Sequence, residues 1–175
     1  IATGKFTHYN KKTVPTLESE QTWTVLDGGD ENLYIGHVNS GFSILSLKDR
    51  STKNFRHDPN DPNSLPGDEV STILKDSYGN IWIASHGNGL YKLNQDLSVE
   101  KHFSLNDSPQ TTSLNYIWTV VTDHLGNLWL GTAGKGLVHF DPKNEVFTPI
   151  TDRKNLNISD QSIYSIHCDR NNDLW

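Results

Sequence analysis

A single cysteine, Cys168, stands among 175 residues, so no disulfide can close within the chain. It lies in the alternating run SIYSIHCD at 162–169, where a small half-buried side chain is expected rather than a reactive thiol. One cysteine does not identify a redox compartment. No run of about 18 apolar residues occurs, which excludes a bilayer-spanning helix. The opening IATGKFTHYN has neither the basic nor the apolar part of a signal peptide, so membrane attachment is expected only through segments outside this chain. Positive charge is sparse and scattered: 15 Lys and Arg against 21 Asp and Glu leave a formal charge of −6. That balance argues against a nucleic-acid partner, because phosphate binding needs clustered basic side chains. No stretch sustains a 3.6-residue apolar period between caps, so helix is expected to be nearly absent.

What is present is a repeat. DSYGNIWIASHGNGLYKL at 76–93 and DHLGNLWLGTAGKGLVHF at 123–140 are two copies of one pattern, and DRNNDLW at 169–175 begins a third. Trp82, Trp129 and Trp175 are separated by 47 and 46 residues, and ENLYIGHVNSGFSIL at 31–45 is a divergent copy with Tyr34 48 residues before Trp82. Its turn reads DGGDENLY where the copies at 76–82 and 123–129 read DxxGNxW. Self-similarity at this period is the mark of a repeat architecture.

Each copy reads as four short strands. The first is an apolar alternation, VSTIL at 70–74 or IWTVV at 117–121, followed by a turn whose Gly and Asn tolerate left-handed backbone. The second is IWIAS or LWLGT; a glycine pair follows (Gly87 and Gly89, Gly134 and Gly136, with only Gly41 in the divergent copy). The third is LYKL or LVHF, and the fourth centres on Phe55, Phe103 or Phe147. Four strands in about 47 residues, repeated, make an all-β chain of β-propeller blades: small antiparallel sheets that bury their faces against their neighbours. The recurring tryptophans then pack between blades, since a single blade cannot bury them.

The pattern D-x-x-G-N-[IL]-W-[IL]-[AG]-[ST]-x-G-x-G-L resembles the two-component regulator propeller repeat, and NDPNSL at 60–65 and TTSLN at 111–115 resemble that family's SL linkers. The resemblance covers nearly the whole chain. It implies the periplasmic sensor region of a Bacteroides-type hybrid two-component protein, in which such repeats build propellers ahead of a membrane helix and a cytoplasmic histidine kinase. It further implies ligands that are mostly oligosaccharides from polysaccharide breakdown. On this reading the chain is a partial propeller. Residues 1–16 carry the outer strand of a preceding blade (GKFTHYN, with Phe6 matching Phe55), 17–64, 65–112 and 113–158 are complete blades, and 159–175 starts a truncated one. Two broad apolar blade faces are then expected to be exposed, and to be covered by the remaining blades or by self-association.

In a propeller, the loops between second and third strands and the linkers into each inner strand share one face. Here that face would carry HVNS (37–40), SHGN (85–88) and TAGK (132–135). Candidate ligand-binding residues are His37, Asn39, His86, Asn88 and Lys135, which vary between copies, with Trp23, Trp118 and Tyr164 at the start of the inner strands. Aromatic faces beside hydrogen-bonding side chains suit a sugar, which stacks its C–H face and is read through its hydroxyls. One residue on, Thr24, Thr72, Thr119 and Ser165 form a register of small hydroxyls expected to line a channel.

Other chemistries find less support. The turn DSYGNIW only superficially matches an Asp box, since Asp76 stands three residues before Gly79 rather than two. Glycosidase work needs two converging carboxylates, whereas Asp76, Asp123 and Asp169 recur in turns. The eight histidines lack metal-ligand spacing, and HDPNDPN at 57–63 lacks the turn glycine of a calcium loop. No catalytic residue, metal site or cofactor is therefore expected. The alternative functions are a scaffold for protein partners and, behind it, a secreted propeller hydrolase or lyase.

Overall fold

Three stretches alternate apolar runs with turns rich in Asp, Asn and Gly, and each folds as a meander in which every strand pairs with the one before it. The computed structural model describes residues 6–104, 115–150 and 161–175. The first sheet holds β1 (Thr22–Gly29), β2 (Asn32–His37), β3 (Phe42–Ser46) and β4 (Thr52–Phe55). The second holds β5 (Val70–Lys75), β6 (Ile81–Ser85), β7 (Gly89–Leu93) and β8 (Val99–Phe103). The third holds β9 (Ile117–Thr122), β10 (Leu128–Thr132), β11 (Leu137–Asp141) and β12 (Val146–Pro149). Strand order follows chain order in all three, and the described residues contain no α-helix. The chain is thus all-β, with three four-stranded antiparallel sheets of propeller-blade type that do not close on themselves. Strands β6 and β10 coincide with the expected IWIAS and LWLGT.

Successive inner strands are neighbours: β1 packs on β5, and β5 on β9. Ser71 Oγ donates to the Ile117 carbonyl at 2.6 Å, and Thr72 Oγ1 to that of Trp118 at 3.2 Å, so two hydroxyls of β5 tie it to β9. Apolar side chains fill the spaces between sheets. Phe42 of the first sheet meets Val70, Ile73, Ile83 and Tyr91 of the second, and the linker residue Leu65, 3% exposed, joins them. Trp82, Leu90 and Phe103 meet Ile117, Leu128, Leu130 and Phe140 of the third. Trp82 is 2% exposed, with its ring 5.9 Å from that of Phe140. Removing that much aromatic surface from water contributes on the order of 4 kcal/mol gross. Trp129 is half-buried, and Trp175 is 77% exposed.

Two features differ from expectation. The outward side of the first sheet is not bare: Val14 and Leu17 pack on Ile35 and Leu45, because the linker entering this sheet turns its apolar residues inward as Leu65 does in the next. The strand expected over 4–10 is not seen in its described part; residues 6–10 belong to no strand, and Phe6 is fully exposed. No ladder partner lies beside it among the described residues. Toward the other end, 161–166 form no strand, but Ile163 N donates to the Thr132 carbonyl at 3.0 Å. Residues 167–175 turn back as a hairpin, with His167 and Trp175 exchanging both backbone hydrogen bonds. The linker TTSLN, apart from Asn115, lies outside the described residues, as does most of TDRKNLNISDQ at 151–161.

Candidate functional site

Each inner strand leaves regular pairing at the same place. Thr22 pairs with His37 and Thr24 with Gly36; Val70 pairs with Ser85 and Thr72 with Ala84; Ile117 pairs with Thr132 and Thr119 with Gly131. Trp23, Ser71 and Trp118 are left over, a bulge at the same place in each sheet. A bulge kinks the strand and re-aims the extra side chain, so the fold turns this repeat position away from the blade interior. The residue opposite is always small. A Cβ on Gly36 would stand 2.9 Å from the Val70 carbonyl oxygen, and one on Gly131 2.6 Å from that of Ile163, because the next segment lies directly over it.

The re-aimed residues meet. Trp23 and Trp118, from the first and third sheets, lie edge to face with centroids 5.8 Å apart. His86, in the loop after β6, packs against both, 5.9 Å from Trp23 and 4.2 Å from Trp118. Tyr164 extends the row, 5.4 Å from Trp118, and Tyr116 packs on His86 at 4.8 Å. Rings from across the chain therefore form one continuous shelf. Exposure is 39% at Trp23, 43% at Tyr116 and 68% at Tyr164, enough to receive a flat apolar surface. Polar groups border it: Glu69 accepts from His86 Nδ1 at 3.2 Å, and with the Asn39 amide turned so that its nitrogen faces the carboxylate, Asn39 donates to the other Glu69 oxygen at 3.3 Å. Trp118 Nε1 is buried with no partner among the described residues.

Of the candidate residues, Trp23, Asn39, His86, Trp118 and Tyr164 come together. His37 does not reach the shelf; it is fully buried in the first sheet, with Nε2 2.8 Å from Ser43 Oγ. Burial pushes its pKa below the usual histidine value, against the pull of Glu18. The Asn88 side-chain amide lies beside Gly67 and donates to Ser85 Oγ at 3.5 Å, while its backbone carbonyl accepts from His102 Nε2 at 2.6 Å. Lys135 is half-buried, and its backbone N–H donates to Thr132 Oγ1 at 3.2 Å.

Glu69 and Tyr116 escaped the reading of the sequence. Both stand two residues before a bulged position, where the other copies have Gln21 and Ser162. Their carbonyls do the same work, Gln21 accepting from Val38, Glu69 from His86 and Tyr116 from Ala133. A repeat position with one backbone role and changing side chains was the available signal.

The opposite face is built from the recurring turns. Asp76 Oδ1 accepts the backbone N–H groups of Tyr78 and Asn80, and Oδ2 accepts Trp82 Nε1, at 2.9 Å in each case. Asp123 holds Trp129 at 3.1 Å and Asp169 holds Trp175 at 3.0 Å by the same atoms. Burial opposes charge on Asp76 and Asp123, but the donated hydrogen bonds outweigh it and hold both below the usual carboxylate range. A cleft of about 490 Å³ opens here between the second and third sheets. Its carboxylates are already engaged: Asp76 as above, Glu100 with Lys92, Glu145 with Lys101, and Asp141 with the backbone N–H groups of Lys143 and Asn144 and the Asn144 amide. In HDPNDPN, likewise, Asp58 and Asp61 accept the N–H groups of Asn60 and Asn63, both at 2.9 Å.

The two-component regulator propeller family matches residues 64–87 and 113–134. No curated protein matches the chain. Among solved structures, the extracellular domain of BT3049 from B. thetaiotaomicron, described as a hybrid two component system, is 39% identical over 100% of this chain, with a TM-score of 0.75. That of BT4673 from the same organism is 23% identical over 88% of the chain with a TM-score of 0.67, a likeness of fold. The chain spans about a fifth of the length of these structures, 21% and 20%. Repeats, blade-like sheets and whole-chain similarity agree: this is a chain of two-component regulator propeller repeats, homologous to the extracellular domain of a Bacteroides hybrid two-component system.

Proposed function

We propose that the chain is part of the periplasmic ligand-sensing region of a hybrid two-component receptor, and that it binds a polysaccharide-derived oligosaccharide without turning it over. The observation that carries this is the shelf: Trp23, Trp118 and Tyr164, far apart in sequence, form one row of rings edged by His86, Glu69 and Asn39. Pyranose rings stack on such faces while amide, imidazole and carboxylate groups read their hydroxyls. The unpartnered Trp118 Nε1 adds a donor for an incoming hydroxyl once the rings part. Because the shelf joins side chains of successive sheets, a ligand on it favours one relative placement of those sheets. That shift of population is the signal passed toward a cytoplasmic histidine kinase elsewhere in the receptor.

Calorimetric titration with a panel of plant and host oligosaccharides tests the reading. At least one is expected to bind, and Trp118→Ala to weaken it by about tenfold or more, the scale of losing one stacked ring and its donor. Heat from none of the panel, or a Trp118→Ala variant that binds as tightly as the parent, would refute it.

A further inference from the structure

The charge around the shelf narrows the ligand class, on the reading just proposed. The Glu69 side chain is 40% exposed, and among the described residues its carboxylate meets His86 and, with the amide turned nitrogen-inward, Asn39. Beside it, Arg56 is shared: Nη1 lies 3.1 Å from Glu18 Oε1, Nη2 lies 3.0 Å from Asp68 Oδ2, and Nη2 also reaches the Asn39 carbonyl at 3.5 Å. One guanidinium thus serves two carboxylates, while the third faces the rings. Glu18, Asp68 and Glu69 against Arg56 give the carboxylates and guanidinium of this edge a formal charge of −2 (three negative, one positive), of the same sign as the chain as a whole.

We infer that the shelf selects an uncharged oligosaccharide over one bearing carboxylate or sulfate groups, and that Glu69 is the specificity-determining residue. His86 and Asn39 hold its two oxygens in place, and their remaining lone pairs accept sugar hydroxyls. An anionic substituent there meets like charge, and Arg56, the basic side chain on this edge among the described residues, is already held by Glu18 and Asp68. Attraction to the right ligand and repulsion of the wrong one come from the same side chain. At a separation of about 6 Å in water-like surroundings, each such repulsion weakens binding about threefold, and two weaken it about tenfold.

The test is tryptophan fluorescence titration of the protein with matched probe pairs. Cello-oligosaccharides are set against their C6-oxidised uronic forms, and α-1,4-galacto-oligosaccharides against galacturono-oligosaccharides, at low and high salt. A neutral probe is expected to bind about tenfold more tightly than its acidic counterpart at low salt, with the gap narrowing as salt rises. Glu69→Gln should narrow the gap between the two probes about threefold at low salt, because both lose the same acceptor while only the acidic one is relieved of the like charge. Glu18→Gln, farther along the same edge, should act in the same direction more weakly. An acidic probe that binds as well as or better than its neutral partner overturns this inference while leaving the oligosaccharide reading standing. A gap unchanged in Glu69→Gln overturns the role of that residue. If neither member of any pair binds, the oligosaccharide reading falls and this inference falls with it.

Discussion

Replacing Asp76 by alanine removes four acceptor contacts at once: the backbone N–H groups of Tyr78 and Asn80, the Asn80 amide and Trp82 Nε1. These losses are not equal. The turn is partly open, so water can take over the backbone donors, but Trp82 is 2% exposed and its Nε1 would be left without a partner. An orphaned buried donor costs about 1–3 kcal/mol, and with the lost charge-assisted contacts the expected destabilisation is about 2–4 kcal/mol. Asp76→Asn should be little milder, since its amide nitrogen would face two donors if its oxygen stays with the backbone. The folded pKa of Asp76 is lowered, so its contribution is present above the unfolded value of about 3.9 and is lost as pH falls through the lower folded value. Urea unfolding followed by tryptophan fluorescence measures this at neutral pH and on the acid limb, which Asp76→Ala should flatten. A Trp82→Phe background isolates the buried contact: there Asp76→Ala should cost about 1 kcal/mol or more less. A change under about 0.5 kcal/mol in the parent background, or no coupling to Trp82, would refute the view that this turn carboxylate anchors the tryptophan between sheets.

His37 is buried with its pKa depressed, so stability should be full above about pH 6.5 and decline as pH falls from there toward the folded value; His37→Gln should lack that decline, as unfolding at roughly pH 8 and pH 5 would reveal. Gly36→Ala would drive a Cβ to 2.5 Å from Thr24 Cγ2 and 2.7 Å from Val70 Cγ1, costing about 1–3 kcal/mol in thermal or urea unfolding; an unchanged midpoint would mean that the first two sheets are not packed this closely.

Much of the fold was legible because a repeat reports its own structure. Alternation set the strands, glycine and asparagine set the turns, and the period showed that tryptophans 47 and 46 residues apart do one job. The site was legible only in part. Trp23, Trp118 and Tyr164 could be aligned as equivalent positions, but the bulge that turns that position outward is a register effect between two strands, and no single strand displays it. His37 misled for a related reason. It aligns with Ser85 and sits at the mouth of the same loop as Asn39, yet the ladder orients it into the sheet, where Ser43 receives it. Glu69 and Tyr116 were hidden in linkers, where composition says turn and says nothing of what lies across the next blade.

The sequence by itself determined the all-β class, the four-stranded repeat and the recurring aspartates of its turns, because those depend on contacts a few residues apart. Only the tertiary structure decided which rings touch. The shelf draws on three sheets and a segment beyond them, and its geometry comes from how closely small residues such as Gly36 and Gly131 let one inner strand approach the next.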